Sequence, residues 1–99
     1  GVLMTKRELA IEIANETGLT QLAVKEVIQK FLDKIIDELA AGKNVEFRNF
    51  GVLEPVYRKP RIGRNPQKPE DTVQIPGRYV VRFKSGKDLK ARLKELGNK

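Results

Sequence analysis

Leu9, Ala10, Ile13 and Ala14 recur at helical spacing behind Thr5-Lys6-Arg7-Glu8, and this narrow apolar stripe predicts a first helix. Thr5 and Glu8 have the spacing of a capping box, in which hydroxyl and carboxylate satisfy backbone N–H groups at a helix start. Gly18 is placed to end that helix in a left-handed conformation, and Thr20 to cap the next. The second helix, about Gln21 to Ala41, carries Val24, Val27, Ile28, Phe31, Leu32, Ile35, Ile36 and Leu39. These cover roughly half the helical circumference, more than one packing neighbour requires. The pattern predicts a core helix, covered within its own chain or, as the width of its apolar face favours, partly by a second chain.

Beyond Gly42 the period changes. Val45-Glu46-Phe47-Arg48 alternates as a half-buried strand does, Asn49-Phe50-Gly51 reads as a turn, and Val52 to Tyr57 returns. Pro55 marks an edge, or the place where that strand leaves its sheet. Arg78 to Lys84 alternates again, with Tyr79, Val81 and Phe83 on one face, and should pair with the earlier hairpin. Ser85 is the expected cap of a last helix, with Asp88 three residues on and Leu89, Leu93 and Leu96 as its buried stripe. The predicted class is α+β: two N-terminal helices, a three-stranded antiparallel sheet with a long protruding β-ribbon arm, and a C-terminal helix, as one domain over residues 1–99 with the arm at about 55–78.

The arm departs from everything around it. Residues 58–69 hold five cations and three prolines, no acid and one large aliphatic side chain, so they supply no core. Both sides can be extended, with Gly63-Arg64-Asn65-Pro66 as the turn and Ile75-Pro76-Gly77 as the returning base. A two-stranded ribbon without a sheet beneath it is marginal in water, which predicts a mobile tip that orders on its ligand.

Charge and composition narrow the function. The net charge of +7 is uneven: residues 1–54 hold seven basic and nine acidic side chains, 55–82 seven and two, and 83–99 six and two. The positive field therefore belongs to the arm and the C-terminal segment, and points to a polyanion. With neither cysteine nor histidine, disulfides, thiolate nucleophiles, the usual zinc sites and imidazole catalysis are excluded. Carboxylates are scattered and the glycines form no phosphate loop, so no enzyme, metal or cofactor is expected. No apolar run reaches membrane-span length and no signal-peptide pattern opens the chain, so a cytoplasmic protein without membrane contact is expected.

Gly63-Arg64-Asn65-Pro66, followed by Phe83-Lys84-Ser85-Gly86-Lys87-Asp88-Leu89-Lys90, resembles the bacterial histone-like DNA-bending family of HU and integration host factor. The likeness runs from Met4 to about Leu96 and includes the Phe47-Arg48-Asn49-Phe50-Gly51 turn. It implies an intertwined dimer, homodimeric or heterodimeric, whose two arms embrace double-stranded DNA through its minor groove in the nucleoid. It makes Pro66 the residue inserted between base pairs, and Arg58, Lys59, Arg61, Arg64, Asn65, Lys68 and Arg78 the DNA-facing side of the arm. On the body it implies Lys6, Arg48, Lys84, Lys87 and Lys90. Members usually continue after the proline with one residue and then threonine-glycine. Here Gln67-Lys68-Pro69 follows, and the returning strand is one residue longer.

Two rival readings stay open on the residues alone. An RNA-binding module would use the same charge but needs an aromatic stacking platform, whereas only Tyr57 and Tyr79 flank the arm and the phenylalanines read as core. A protein-interaction domain would use the arm as a docking peptide or linker. Within the resemblance, HU-like weak and host-factor-like moderate sequence preference both remain, with Arg48 leaning toward the second.

Overall fold

The computed structural model describes residues 3–97. Its elements are α1 (Lys6–Thr17), α2 (Gln21–Ala40), β1 (Val45–Phe47), β2 (Gly51–Arg58), β3 (Arg61–Asn65), β4 (Lys68–Ile75), β5 (Arg78–Ser85) and α3 (Lys87–Gly97). They form two compact units, divided between Asp37 and Glu38 near the end of α2.

In the first unit the threonine and glycine caps are in place, though of the Thr5–Glu8 capping box only the hydroxyl half forms among the described residues. Thr5 Oγ1 accepts from the Glu8 N–H at 3.2 Å, Thr20 Oγ1 from the Ala23 N–H at 3.1 Å, and Gly18 closes α1 at φ 78°. Each threonine thereby satisfies a donor that the helix itself leaves unpaired, a contribution of about 1 kcal/mol. The apolar stripes of α1 and α2 meet at Ala10, Ala14 and Val24, the only buried hydrophobic side chains among the described residues, with Ile28 packed against them. Much of the α2 face stays open: Val27 is 67% exposed and Ile36 61%.

The second unit begins with a C-cap that stops α2. Gly42 sits at φ 81°, its N–H donating to Leu39 O and the Lys43 N–H to Glu38 O, both at 3.0 Å. This pair of bonds satisfies carbonyls the helix end would otherwise strand, and only glycine enters that φ without strain. The chain then builds a three-stranded antiparallel sheet in the order β1-β2-β5. β1 pairs only with Gly51 to Leu53, so Pro55, opposite Val81, lies where β2 has no neighbour on one side. A residue without an N–H is tolerated there. Arg48 belongs to the β1–β2 turn rather than to β1, and Asn49 takes a positive φ of 68° in that turn.

Strand alternation sorts the two faces of the β2–β5 ladder. Gly51, Leu53, Pro55 and Tyr57 stand opposite Ser85, Phe83, Val81 and Tyr79, while Val52, Glu54, Val56 and Arg58 stand opposite Lys84, Arg82, Val80 and Arg78. The first face is apolar and continues into an aromatic cluster, Phe50 lying 5.5 Å from Phe83 and 6.2 Å from Phe47 between ring centroids. The second carries charge.

Further sequence expectations change. The stripe of α3 is not buried in this chain, Leu93 being 53% and Leu96 67% exposed. Ser85 does not cap α3: it ends β5, paired with Gly51, and Gly86 precedes the helix. The Gly86 N–H donates to Phe50 O at 2.8 Å and its carbonyl accepts from the Lys90 N–H at 3.0 Å. The strand ladder outcompetes the cap for Ser85. The arm's turn also moves, from Gly63–Pro66 to Pro66-Gln67, because Gly63 and Arg64 are strand residues paired with Val73 and Thr72. Asn65 Oδ1 accepts from the Gln67 N–H at 2.9 Å, a side-chain turn that starts the reversal at Pro66.

Candidate nucleic-acid interface

The arm is a separate two-stranded ladder, β3 with β4, from Arg61↔Ile75 outward. At Arg64 the register shifts. Thr72 faces Arg64 but Lys68 faces Asn65, so Pro69, Glu70 and Asp71 have no counterparts and bulge from the returning strand. The residues that depart from the usual sequence after Pro66 are therefore absorbed next to the tip, and the ladder below it stays regular.

The base of the arm gathers cations. Arg58, Lys59, Arg61 and Arg78 line one cleft of about 410 Å³ together with Val80. Arg58 and Arg78 are direct cross-strand partners, an arrangement that repels unless an anion lies between or over them. Among the described residues none of the four forms an ion pair. Arg64, Asn65, Pro66 and Lys68 lie together at the tip.

Further along the charged face, the Glu54 carboxylate, only 15% exposed, accepts from Arg82 Nη2 at 2.7 Å and Nε at 3.2 Å, and lies 3.3 Å from Lys84 Nζ. Arg82 hydrogen bonding, with Lys84 adding to it, holds the Glu54 carboxyl below its ordinary value. A depressed carboxyl pKa stabilises the fold above the ordinary carboxylate range, and that contribution fades as acidification carries the pH down through the depressed value. We expect Glu54→Gln to flatten the acid limb of a thermal-stability profile in that range; an unchanged profile would show that the group contributes nothing there.

No motif in the sequence marks Arg82 as a site residue. Its signal was strand alternation: Arg78, Arg82 and Lys84 share one face of β5, and Arg82 joins the row by parity alone. Lys84 and Arg48 line a second cleft, with Glu46, Asn49 and Gly86 among its other walls. Lys87 and Lys90 stand exposed on the first turn of α3. Lys6 belongs to the helical unit, where its ammonium donates to Gln29 Oε1, which is itself fixed through Gln29 Nε2 to Asp33 Oδ1 at 2.8 Å.

The family model "Bacterial DNA-binding protein" matches residues 4–94. The chain belongs to the HU and integration host factor family. Members of this family are architectural DNA-binding proteins, not enzymes. Among the relatives of this family member is a probable DNA-binding protein HU of Chlamydia pneumoniae, 46% identical over 97% of this chain and 95% of its own length. The integration host factor subunit beta of Idiomarina loihiensis is 40% identical over 94% of this chain and 99% of its own. In structure, this HU-family chain is similar to HU in an Anabaena HU–DNA cocrystal, with a TM-score of 0.82 and 32% identity over 91% of this chain and 97% of that one. The α+β class read from the sequence is thus the fold found. No helix among the described residues is long and apolar enough to cross a membrane.

Proposed function

We propose that this HU-family protein bends double-stranded DNA as a dimer, its two arms entering the minor groove and Pro66 of each wedging between base pairs. The observation that carries the reading is the arm itself. Four cations that form no ion pair among the described residues line its base, and its hairpin ends in a rigid apolar residue held out on an Asn65-anchored turn. Proline is compact and already ordered, so its insertion loses little entropy, while unstacking costs a few kcal/mol per step. Bending offsets that cost by bringing more phosphates to the body, each neutralised phosphate releasing counterions.

Arg58, Lys59, Arg61, Arg64, Asn65, Lys68 and Arg78 serve the groove and its flanking phosphates; Arg48, Lys84, Lys87, Lys90 and Lys6 serve the bent flanks. Guanidinium groups suit the negative potential of a narrow groove. The minor groove distinguishes little beyond A·T from G·C, so sequence preference is weak, or moderate where DNA flexibility sharpens it. Localisation to the nucleoid follows from this role.

The test is end-to-end energy transfer in a doubly labelled duplex of about 35 base pairs, well under the persistence length of DNA, over a salt series, with single-stranded RNA as competitor. Salt-sensitive shortening of the end-to-end distance, competed poorly by RNA, supports the reading; binding without shortening, or preference for RNA, rejects it. A second expectation concerns the free protein. The arm ladder has only two strands, so its amides should exchange far faster than those of β2 and β5 and become protected on adding duplex. Equal protection of arm and sheet without DNA would contradict a ligand-ordered arm.

A further inference from the structure

The ladder that joins body to arm has one defective joint. β2 and β5 pair as far as Arg58↔Arg78, and β3 and β4 resume at Arg61↔Ile75 in the same register. Lys59 therefore lies opposite Gly77, and Pro60 opposite Pro76. Two prolines facing each other remove both backbone donors of that rung, so no ladder bond there holds the arm at a fixed angle to the sheet. Its direction must come from side chains packed across the joint.

One side chain is placed to do this. A Cβ built on Gly77 would fall 1.9 Å from Tyr57 Oη, 2.7 Å from Tyr57 Cζ and 3.0 Å from Pro60 Cδ. The phenol of Tyr57 thus occupies the space that any other residue at 77 would need, in a gap that Pro60 of the other connection also borders. Strand geometry explains the reach: Gly77 is the diagonal neighbour of Tyr57 on the same face, within range of an aromatic ring. Tyr79, directly opposite, backs the ring from the body side, with centroids 5.2 Å apart and planes at 62°. Gly77 has no need of a glycine-only backbone conformation. Its lack of a side chain matters as room for the tyrosine.

We infer that Tyr57, seated on Gly77 and backed by Tyr79, is a positioning residue that latches the arm at its base and so sets the direction in which Pro66 is delivered to DNA. The inference rests on the bending role proposed above. It assigns Tyr57 no contact with DNA, and it predicts that bending and binding separate when the latch is removed. A loose arm still offers its charges to phosphates but no longer holds the wedge at one angle.

The test uses the full chain, which has no cysteine, with a dye on Gln67→Cys at the arm tip. Nanosecond anisotropy without DNA reads the wobble of the tip, and energy transfer in the labelled duplex reads the bend. Tyr57→Val should raise the wobble and reduce the bend while Kd moves by less than about threefold, under 1 kcal/mol. Tyr57→Phe, which keeps the ring, should stay near wild type. Gly77→Ala should mimic Tyr57→Val by evicting the ring, and the double variant should be no worse than either single one. The latch is overturned if Tyr57→Val leaves wobble and bend unchanged, or if the Gly77→Ala effect adds in full to that of Tyr57→Val. Failure of the wild type to bend DNA would sink the bending role instead, and the DNA-free anisotropy would still decide the latch.

Discussion

Pro66→Ala is expected to lose most of the DNA bend while keeping most of the salt-sensitive affinity. Alanine at the turn is apolar but too small and too flexible to hold two base pairs apart, and wedges of this kind are what open kinks of about 20–90°. The cations lining the cleft at the arm base, Arg58, Lys59, Arg61 and Arg78, are untouched by the change and should continue to neutralise phosphates. Counterion release gives a slope of about −0.9 per phosphate contacted. The variant should therefore keep the slope set by the arm base and lose only the contacts that bending brings to the body. Asn65 keeps the turn in place, since its Oδ1 bond goes to the Gln67 N–H and not to residue 66. The measurement is energy transfer in the labelled duplex beside a salt titration of Kd. An unchanged bend would move the wedge elsewhere, and the bulge at Pro69, Glu70 and Asp71 would be the next segment to alter.

The same residues show what a sequence can and cannot disclose. Helix starts and stops were legible because caps are local: Thr5, Gly18, Thr20 and Gly42 each act within a few residues of themselves. The strands were legible from alternation, and the arm from its prolines and charge. Local spacing misplaces Ser85 because its competing partner, Gly51, lies far away in sequence, and a ladder bond outweighs a local cap. The turn at Pro66-Gln67 was missed because Gly63 looks like a turn residue, whereas the Asn65 side chain fixes the reversal one step later. Arg82 and the latch of Tyr57 on Gly77 share the same cause. Both depend on which residues face each other across two strands, and that follows from register, which no stretch of sequence states by itself.

Either Val27→Glu or Ile36→Glu is expected to destroy the assembled protein, although both side chains are more than half exposed in the single chain. On an isolated chain, substitutions at exposed helix positions stay within about 0.5 kcal/mol. The helical unit does not have the core of an isolated chain. Among its described residues the buried hydrophobic ones are two alanines and a valine, and a body this small buries too little to be stable alone. In the dimeric reading proposed above, a second copy covers the remaining α2 face, on which Leu32, between those two positions in sequence, is 39% exposed. A carboxylate buried there without a partner costs about 3–5 kcal/mol, and a symmetric dimer incurs it twice. That approaches the whole stability of a small domain. The wild type should sediment as a dimer and melt at a temperature that rises with protein concentration, as linked folding and association require. Each variant should be largely unfolded by circular dichroism at micromolar concentration. If the wild type melts independently of concentration and the variants stay folded, the open face of α2 belongs to a monomer. Two arms could not then close on one duplex, and the bending role would fall with them.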